Sequence, residues 1–316
     1  MGKKQQVALV ILLNLTIVVI EILYGIVANS VSLIADAIHN LGDVLAVVVT
    51  FIALFLGSKK VSERMTFGFV RAEMMAGFIN SFFLLLTMLY VLYQSFYRLV
   101  NPENVLSEYM MIVAAVAFAA NGISALILHR IGGDFAHAHH HIHDYHDGEH
   151  DHDHHHHAHH DLNIRSAYLH MLSDALISLG VVIGGAVIYV FNVNAVDAVL
   201  SILFSLYILK ENFGVLRHTF LSLMDINRDD LAPVEATILG FKNVHSIHDL
   251  HLHRPSSKEM YLSAHLVFDK DLTLGEVETI LISIREALRK EGVTHSVLQP
   301  ETMQMAQENI LCSGHG

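Results

Sequence analysis

The sequence predicts a membrane all-α fold, a six-helix transmembrane bundle, followed by a small α+β domain. Three observations support this fold class. The chain of 316 residues is 53% hydrophobic and only 16% charged, which is too apolar for an ordinary soluble protein. Six apolar runs of about 20 residues or more lie before residue 224, and a helix of that length crosses a bilayer. After that point the composition becomes that of a soluble domain.

The six predicted spans follow one another closely, except between the fourth and the fifth. They cover residues 7–28, 31–57, 71–99, 108–131, 165–193 and 195–223. The first is expected to remain as a span, because no small-residue cleavage site follows it. Ser30 or Ser32 is expected to cap the second helix, since serine side chains accept hydrogen bonds from first-turn amides.

The C-terminal part of the chain has the pattern α-β-β-α-β. Pro233 lies in the first turn of a short helix, and Gly292 ends an amphipathic one. Alternation of apolar and polar residues predicts the strands. The predicted elements are a helix at 231–239, strands at 246–253 and 260–268, a helix at 274–291 and a strand at 293–298. The predicted domains are a transmembrane domain at 1–223 with a His-rich loop at 134–163, a C-terminal domain at 224–303 and a flexible tail at 304–316.

The distribution of positive charge predicts the orientation in the membrane. If the N-terminus is inside, the outer loops carry little beyond Arg98. The inner segments then carry Lys3, Lys4, Lys59, Lys60, Arg64, Arg130, Arg165 and Arg228. The positive-inside rule therefore places both termini and the His-rich loop in the cytoplasm.

Two of the spans each contain an imidazole and a carboxylate four residues apart: His39 and Asp43 in the second, His170 and Asp174 in the fifth. Residues four apart lie on one face of a helix. Two such faces turned together offer two nitrogens and two oxygens, a tetrahedral set that suits Zn²⁺. An ionisable group in mid-membrane costs about 2.5–3.5 kcal/mol on insertion scales, so four in matched pairs indicate metal binding. The alternative is interhelical hydrogen bonding. Asp36 lies on the same stripe as His39. Its role is open between a ligand, a proton relay and a polar contact, and a supporting role is favoured because Asp36 has no counterpart in the second pair.

The connection between the fourth and fifth spans is of low complexity. Fourteen of the chain's 25 histidines lie between residues 137 and 160, mixed with Asp and Glu. Such a segment cannot build a core, so we expect disorder without metal and loose binding of several ions. The alternative is an expression tag or a charge spacer, and a tag is disfavoured because the segment is internal and mixed with acids. The single cysteine, Cys312, excludes an internal disulfide.

Histidines are also concentrated in the predicted strands of the C-terminal domain. The candidate ligands there are His245, His248, His251, His253, His265, His295 and Glu301. Strand alternation predicts His251 and His253 on one face and His248 on the other. Ligands from three strands would form a second metal site. The alternative is a set of solvated histidines on an exposed sheet.

The whole chain resembles the cation diffusion facilitator family, in the branch of bacterial zinc and cobalt–zinc–cadmium exporters. The resemblance is carried by the segments ADAIHNLGD at 35–43, FGFVRAE at 67–73 and VHSIHDLH at 244–251, together with the six spans and the His-rich loop. It implies a homodimer in the bacterial inner membrane that exports Zn²⁺, with Cd²⁺ and Co²⁺ as further candidates, in exchange for protons. It also implies a secondary transporter, not an enzyme, with membrane lipid, metal ions and protons as partners and no nucleic acid.

The resemblance assigns roles to particular residues. The transported Zn²⁺ is expected to bind His39, Asp43, His170 and Asp174. The C-terminal domain is expected to have a metallochaperone-like fold that binds Zn²⁺ at the dimer interface through His248, His265, His295 and Glu301, with His251 as an alternative to His248. An ion pair between the third span and the end of the sixth maps to Arg71 and Asp225.

The mechanism expected on this basis is alternating access of one metal site. Ligands must be deprotonated to bind metal, and imidazole has an ordinary pKa of about 6.5, so protons compete with Zn²⁺ near neutral pH. One alternative is a membrane zinc sensor or storage protein without transport, with the His-rich loop as its main device. An intramembrane metalloenzyme is disfavoured because four protein ligands leave no open position. Export of Mn²⁺ or Fe²⁺ is disfavoured by the two imidazoles, since Mn²⁺ suits oxygen ligands.

Overall fold

The computed structural model describes residues 3–57, 59, 61–139 and 155–308, in part of the helices by their backbone alone. Residues 140–154 of the His-rich segment and 309–316 of the predicted tail, including Cys312, lie outside the described residues. The first part of the chain forms six long helices. They are α1 (Lys3–Val27), α2 (Val31–Gly57), α3 (Ala72–Val100), α4 (Ser107–His139), α5 (His155–Phe191) and α6 (Ala195–Leu223).

Helices α2 to α6 each contain an apolar stretch long enough to cross a membrane, which gives five such helices among the described residues. In α1 the described apolar stretch is shorter, at Leu12–Val27. Helix α5 begins at His155, ten residues before the predicted start of its span at 165, and α4 continues to His139, beyond the predicted end at 131. Apolar composition marks only the part of a helix suited to lipid, and neither segment contains a proline that would end the helix.

The second part of the chain forms a three-stranded sheet with helices. Its elements are α7 (Ala232–Leu239), β1 (Val244–His253), β2 (Tyr261–Phe268), α8 (Leu274–Lys290), β3 (His295–Thr302) and α9 (Met303–Glu308). The sheet order is β1-β2-β3, with β1 antiparallel and β3 parallel to β2. Strand β3 runs past the predicted end at 298 because an edge strand tolerates Pro300. The predicted fold class, helical membrane bundle plus small α+β domain, is confirmed.

Contacts divide the chain into two compact units, and the division falls within α2, α3 and α6. One unit contains Met1–Val48 and Asn80–Gly214, and the other contains Val49–Ile79 and Val215–Gly316. The buried apolar residues of the first unit include Leu33, Met110, Val181, Leu84, Met88 and Ile208. The core of the second unit includes Leu252, Leu262, Leu266, Ile284 and Leu288. One face of the sheet is therefore apolar, and its polar residues lie on the other.

The start of α2 is fixed by a buried carboxylate from α6. Asp197 is 1% exposed and accepts hydrogen bonds from the amides of Val31 and Ser32 at 2.7 and 3.2 Å. It also accepts the hydroxyls of Ser30 and Ser32 at 2.6 and 2.5 Å. Ser30 Oγ accepts the amide of Leu33 at 3.2 Å, as expected of a capping serine. These bonds satisfy amides that a buried helix start would otherwise leave unpaired, and they fix the position of α2.

Strand β1 contains a bulge between His248 and His251. His248 pairs with His265 of β2, and His251 pairs with Ser263, so three steps along β1 match two along β2. Asp249, within the bulge, has φ of 52°, a left-handed conformation that Asp tolerates better than most residues. The extra residue brings His248 and His251 to the same face of the sheet. The prediction from simple alternation, which put them on opposite faces, is therefore wrong.

Candidate metal centre

Helices α2 and α5 bring together the two imidazoles and two carboxylates that the sequence pattern singled out. His39 Nε2 lies 3.8 Å from Asp43 Oδ2 on its own helix and 3.4 Å from Asp174 Oδ1 on the other. His170 Nε2 lies 3.7 Å from Asp174 Oδ2 and 3.1 Å from Asp43 Oδ2. We call this group of four residues the α2–α5 site. Its ligand atoms all lie within 4.8 Å of one another.

These distances suit a tetrahedral ion. Zinc bonds of about 2.0–2.2 Å place neighbouring tetrahedral donors about 3.3–3.6 Å apart. The four nitrogen–oxygen distances, 3.1 to 3.8 Å, bracket that range. The nitrogen–oxygen distances therefore need to change by only a few tenths of an ångström to fit the ion, and the remaining pairs of ligand atoms lie within 4.8 Å of each other.

The burial of the α2–α5 site is uneven. The side chains of Asp174 and His39 are 1% and 12% exposed, whereas those of Asp43 and His170 are 35% and 41% exposed. Both oxygens of Asp174 and the Nδ1 atom of His39 lack a hydrogen-bond partner among the described residues. A buried carboxylate without hydrogen bonds is costly, and a bound cation would compensate for it. The site is thus accessible on one side and deprived of hydrogen bonds on the other.

A second group of potential ligands lies on the polar face of the sheet. Glu301 of β3 places Oε2 2.9 Å from His248 Nε2 and Oε1 2.7 Å from His265 Nδ1. The imidazole centroids are 5.0 Å apart. We call these three residues the sheet site. Its distances are those of hydrogen bonds, so here the carboxylate bridges two imidazoles, and a metal ion would require the three groups to move slightly apart.

The charge of Glu301 is stabilised by this arrangement. Burial raises the pKa of the Glu301 carboxyl, but the hydrogen bond from His248 and the charges of His248 and His265 outweigh it, and the pKa lies below its usual range. The carboxylate is therefore ionised at neutral pH and available to a cation.

Comparison with known protein families assigns both the helical part and the C-terminal part of the chain. The family model described as "Cation efflux transmembrane domain" matches residues 7–224. The family model described as "Cation efflux protein, cytoplasmic domain" matches residues 226–302. The chain belongs to the cation efflux family. Like its relatives, it is a multi-pass membrane transporter of metal cations and not an enzyme.

Similar cation efflux proteins occur in bacteria and vertebrates. The chain is 32% identical to the "Cadmium, cobalt and zinc/H(+)-K(+) antiporter" of Bacillus subtilis, over 98% of this chain and 94% of that protein. It is 26% identical to the "Zinc transporter ZitB" of Pectobacterium atrosepticum, over 99% and 90%. It is 28% identical to the "Proton-coupled zinc antiporter SLC30A8" of Xenopus laevis, over 98% and 81%. The similarity is therefore to whole transporters, which supports the resemblance inferred from the sequence motifs.

His295 does not join the sheet site in this cation efflux protein. It pairs with Tyr261 at the start of β3, and the two rings are 5.1 Å apart. Because β3 runs parallel to β2, Glu301 is opposite Val267, and six residues of strand separate it from His295. At about 3.3 Å per residue that is roughly 20 Å. Within one chain, His295 therefore lies too far from Glu301 to share an ion with it.

The remaining histidines of β1 also contact acids. His245 lies 2.8 Å from Asp269, His251 lies 2.9 Å from Asp249, and His253 lies 3.8 Å from Asp225. Asp249 also lies 3.7 Å from His265 of the sheet site, and it was not among the predicted ligands. Its position follows from the bulge, which no alternation pattern reveals.

The proposed link between the start of the third span and the end of the sixth is present as an ion pair. Arg71 lies 2.8 Å from Asp225 and also donates to the carbonyl of Leu223 at 3.4 Å. The two charged side chains are 45% and 42% exposed, so solvent screens their attraction. The ion pair therefore adds little to the free energy of unfolding, and its main effect is to hold the two segments next to each other.

Proposed function

We propose that this chain exports Zn²⁺ from the cytoplasm in exchange for protons, and that the α2–α5 site carries the ion. The observation that carries the proposal is the proximity of two imidazole nitrogens and two carboxylate oxygens, all within 4.8 Å of one another. Two nitrogens and two oxygens in tetrahedral reach favour Zn²⁺ over ions that prefer oxygen alone. The names of the relatives support the same substrate class and make Cd²⁺ and Co²⁺ further candidates.

Protons are the proposed counter-ions because each ligand binds either a proton or a metal ion. When the site is open to the cytoplasm, Zn²⁺ displaces protons from the imidazoles and carboxylates. When it opens to the opposite side, incoming protons displace Zn²⁺. A proton gradient then drives export, and the ligands only gain and lose protons in each cycle.

We further propose a homodimer in the bacterial inner membrane with both termini in the cytoplasm. The charge distribution and the description of residues 226–302 as a cytoplasmic domain support this orientation. On this proposal residues 1–223 form the transmembrane domain and 224–303 the cytoplasmic domain. The sheet site would hold a resident Zn²⁺, for which it offers two imidazoles and a carboxylate. Metal there would favour one dimer arrangement if the two arrangements differ in affinity.

Transport of ⁶⁵Zn tests the proposal. Inverted membrane vesicles with an acidic lumen are expected to take up zinc, and collapse of the pH gradient is expected to stop uptake. His39→Ala and Asp43→Asn should lower the initial rate by at least the roughly 10–100-fold that loss of a group merely supporting a ligand costs. His245→Ala, an exposed histidine outside both groups, is the matched control. Transport that persists in the ligand variants would contradict the proposal.

The counter-ion is tested in the same vesicles. The Bacillus subtilis relative is named for K⁺ as well as H⁺. The pH gradient is therefore imposed once in potassium salts and once in choline salts. Equal rates in both would support protons as the sufficient counter-ion, and uptake that requires potassium would contradict this part of the proposal.

A further inference from the structure

The connections α1–α2, α3–α4 and α5–α6 are hydrogen-bonded to one another. Arg98, near the end of α3, donates to the carbonyl oxygen of Asn29, between α1 and α2, at 2.7 Å and to its Oδ1 atom at 2.6 Å. Asn29 Nδ2 in turn donates to Glu103 Oε2 at 3.0 Å and to the carbonyl oxygen of Asn104 at 3.2 Å. Asn194 Nδ2, between α5 and α6, donates to Asn104 Oδ1 at 3.2 Å. We call these five residues the loop clamp.

The hydrogen bonds of the loop clamp are accessible to water, unlike those of the neighbouring Asp197. The Glu103 side chain is 48% exposed, and the bonds from the Asn29 and Asn194 amides lie at the surface. Water can replace a partner there, so these bonds are broken and remade at small net cost. Asp197 is 1% exposed and joins α6 to the start of α2 through four hydrogen bonds, whose loss would leave a buried charge unsatisfied. The loop clamp is therefore suited to open while α2 and α6 stay together.

The loop clamp lies on the more buried side of the α2–α5 site. Helix α2 begins beside the loop clamp and reaches His39 before Asp43, and α5 ends beside it, with Asp174 nearer that end than His170. The two ligands nearer the loop clamp, His39 and Asp174, are 12% and 1% exposed. The two ligands farther from it are 35% and 41% exposed. The site is thus accessible on the side away from the loop clamp and closed on the other.

Buried side chains fill the space between the site and the loop clamp. Asp174, Ser178 and Val181 follow one another at intervals of four and three residues, so they lie on one stripe of α5. The hydroxyl of Ser178 donates to Asp36 of α2 at 2.9 Å, and Val181 belongs to the same buried apolar cluster as Leu33 of α2. An ion that leaves towards the loop clamp has to pass between α2 and α5. The loop clamp holds the ends of both helices to the α3–α4 connection.

We propose that the loop clamp closes the exit from the α2–α5 site on its own side of the membrane and separates once in each transport cycle. This inference rests on the proposed function, because it assigns one of the two closures that alternating access requires. Asn29 and Arg98 are positioning residues, since they act on the ion only through the positions of α2 and α5.

Labelling of a buried cysteine tests the closure. In a chain without its own thiol (Cys312→Ser), Val181→Cys places a thiol between the site and the loop clamp, at a position that is 0% exposed. A bulky maleimide is added to the purified full-length chain in detergent, which leaves both ends of the bundle accessible. Asn29→Gly removes three hydrogen bonds and keeps the left-handed backbone, where φ is 52°. It should raise the labelling rate about tenfold, because each lost bond is worth a factor of roughly two to ten.

A second variant and a matched control keep the labelling decisive. Arg98→Gln removes both bonds to Asn29 and should also raise the rate, whether or not Asn29→Gly folds. Asn192→Gly should label as the parent does, because Asn192 has a similar φ of 53° but an exposed side chain without a hydrogen bond among the described residues. A rate unchanged by Asn29→Gly and Arg98→Gln, or raised equally by Asn192→Gly, would overturn the loop clamp.

A reversible crosslink tests whether the loop clamp has to open during transport. In the same Cys312→Ser background, Asn104→Cys and Asn194→Cys place two thiols where the amide groups are 3.2 Å apart. A short bis-methanethiosulfonate then joins the two thiols. Crosslinked vesicles should lose ⁶⁵Zn transport and regain it after reduction, while each single-cysteine variant keeps transport under the same treatment. Full transport by the crosslinked protein would overturn the proposal.

The two proposals can fail separately. If wild-type vesicles transport zinc under a pH gradient while neither labelling nor transport responds to the loop clamp, export stands and the loop clamp falls. If wild-type vesicles do not transport zinc, the export proposal falls, and the labelling of Val181→Cys still decides whether the loop clamp closes its side of the site.

Discussion

At the scale of single residues, Asp174 shows how binding and stability are opposed in the α2–α5 site. Its side chain is 1% exposed, and two imidazole nitrogens lie 3.4 and 3.7 Å from its oxygens. Neither oxygen accepts a hydrogen bond from the described residues. Such a carboxylate destabilises the metal-free protein and favours the metal-bound one. Asp197 is equally buried but accepts four hydrogen bonds, so it is expected to stabilise the fold in either state.

We expect Asp174→Asn to leave the metal-free chain at least as stable as the wild type and to remove most of the stabilisation by zinc. A ligand at 100 times its Kd stabilises by about 2.7 kcal/mol, which is readily seen as a rise in Tm. Thermal unfolding of the purified chain with and without zinc measures both effects. Asp197→Asn is the matched control and should lower Tm while keeping the zinc effect. A full zinc-induced rise in Asp174→Asn would contradict its assignment as a ligand.

The proximity of these four residues could be predicted from spacing alone, and the buried hydrogen bond from Asn40 of α2 to Glu21 of α1 could not. A four-residue interval places His39 and Asp43 on the same face of a helix. Two apolar helices with this pattern are expected to face each other, because an ionisable group exposed to lipid is costly. Glu21 carries no such periodic signal. Its contact with Asn40 depends on the rotation of α1 against α2, which the sequence pattern does not determine.

At the scale of elements, one extra residue in β1 decides which histidines share a face. Alternation assumes an uninterrupted strand, and the left-handed backbone of Asp249 breaks that assumption. Parallel pairing of β2 and β3 likewise places Glu301, and not His295, close to His265 of β2, because His295 lies six residues earlier in the same strand. The sequence could predict that these strands form. It could not predict the register, because register follows from bulges and core packing that involve distant residues.

The start of α8 gives a prediction that depends on pH. Thr273 and Glu276 form a reciprocal capping box. Hydrogen bonds from the amide and hydroxyl of Thr273 hold the pKa of the Glu276 carboxyl below its usual value. A lowered pKa in the folded state means that the stabilisation is present above the unfolded value of about 4.5 and is lost as pH falls through the lower folded value. We therefore expect Glu276→Gln to destabilise α8 at pH 7 and to match the wild type once Glu276 is protonated.

Thermal unfolding of both proteins between pH 7 and the acid range measures this difference. Thr273→Ala removes the cap at every pH and should cost about 1 kcal/mol, typical of a lost N-cap. Glu278→Gln, two residues further along the same helix, is the control and should show no comparable pH dependence. A Glu276→Gln difference that grows on acidification would contradict the capping explanation.

At the scale of the whole molecule, the ion pair of Arg71 and Asp225 joins segments 154 residues apart in the chain. Because both side chains are more than 40% exposed, the pair is worth about 0–1 kcal/mol of stability. We therefore expect Arg71→Gln and Asp225→Asn to leave Tm nearly unchanged and to reduce zinc transport. Asparagine is chosen because position 225 has φ of 56°, which Asn tolerates.

The double variant decides whether the pair acts as a unit. If Arg71 and Asp225 act only through each other, the double variant transports as well as either single variant. Additive losses in the double variant would mean that the two residues act separately, and the proposed link would be wrong.

Removal of the His-rich segment distinguishes an exporter from a zinc sensor or storage protein. Composition alone predicts that residues 137–160 bind metal loosely, whereas the α2–α5 site lies wholly outside that segment. We therefore expect a deletion of residues 137–160 to keep most of the vesicle transport rate, with the largest reduction at low zinc, where a loose multi-site binder raises the local ion concentration. Replacement of the same 24 residues by a Gly/Ser segment of equal length controls for loop closure, since a flexible linker keeps the connection without offering ligands. Loss of transport at saturating zinc in both versions would favour the sensor or storage alternative, because the bundle ligands would then be insufficient for movement of the ion.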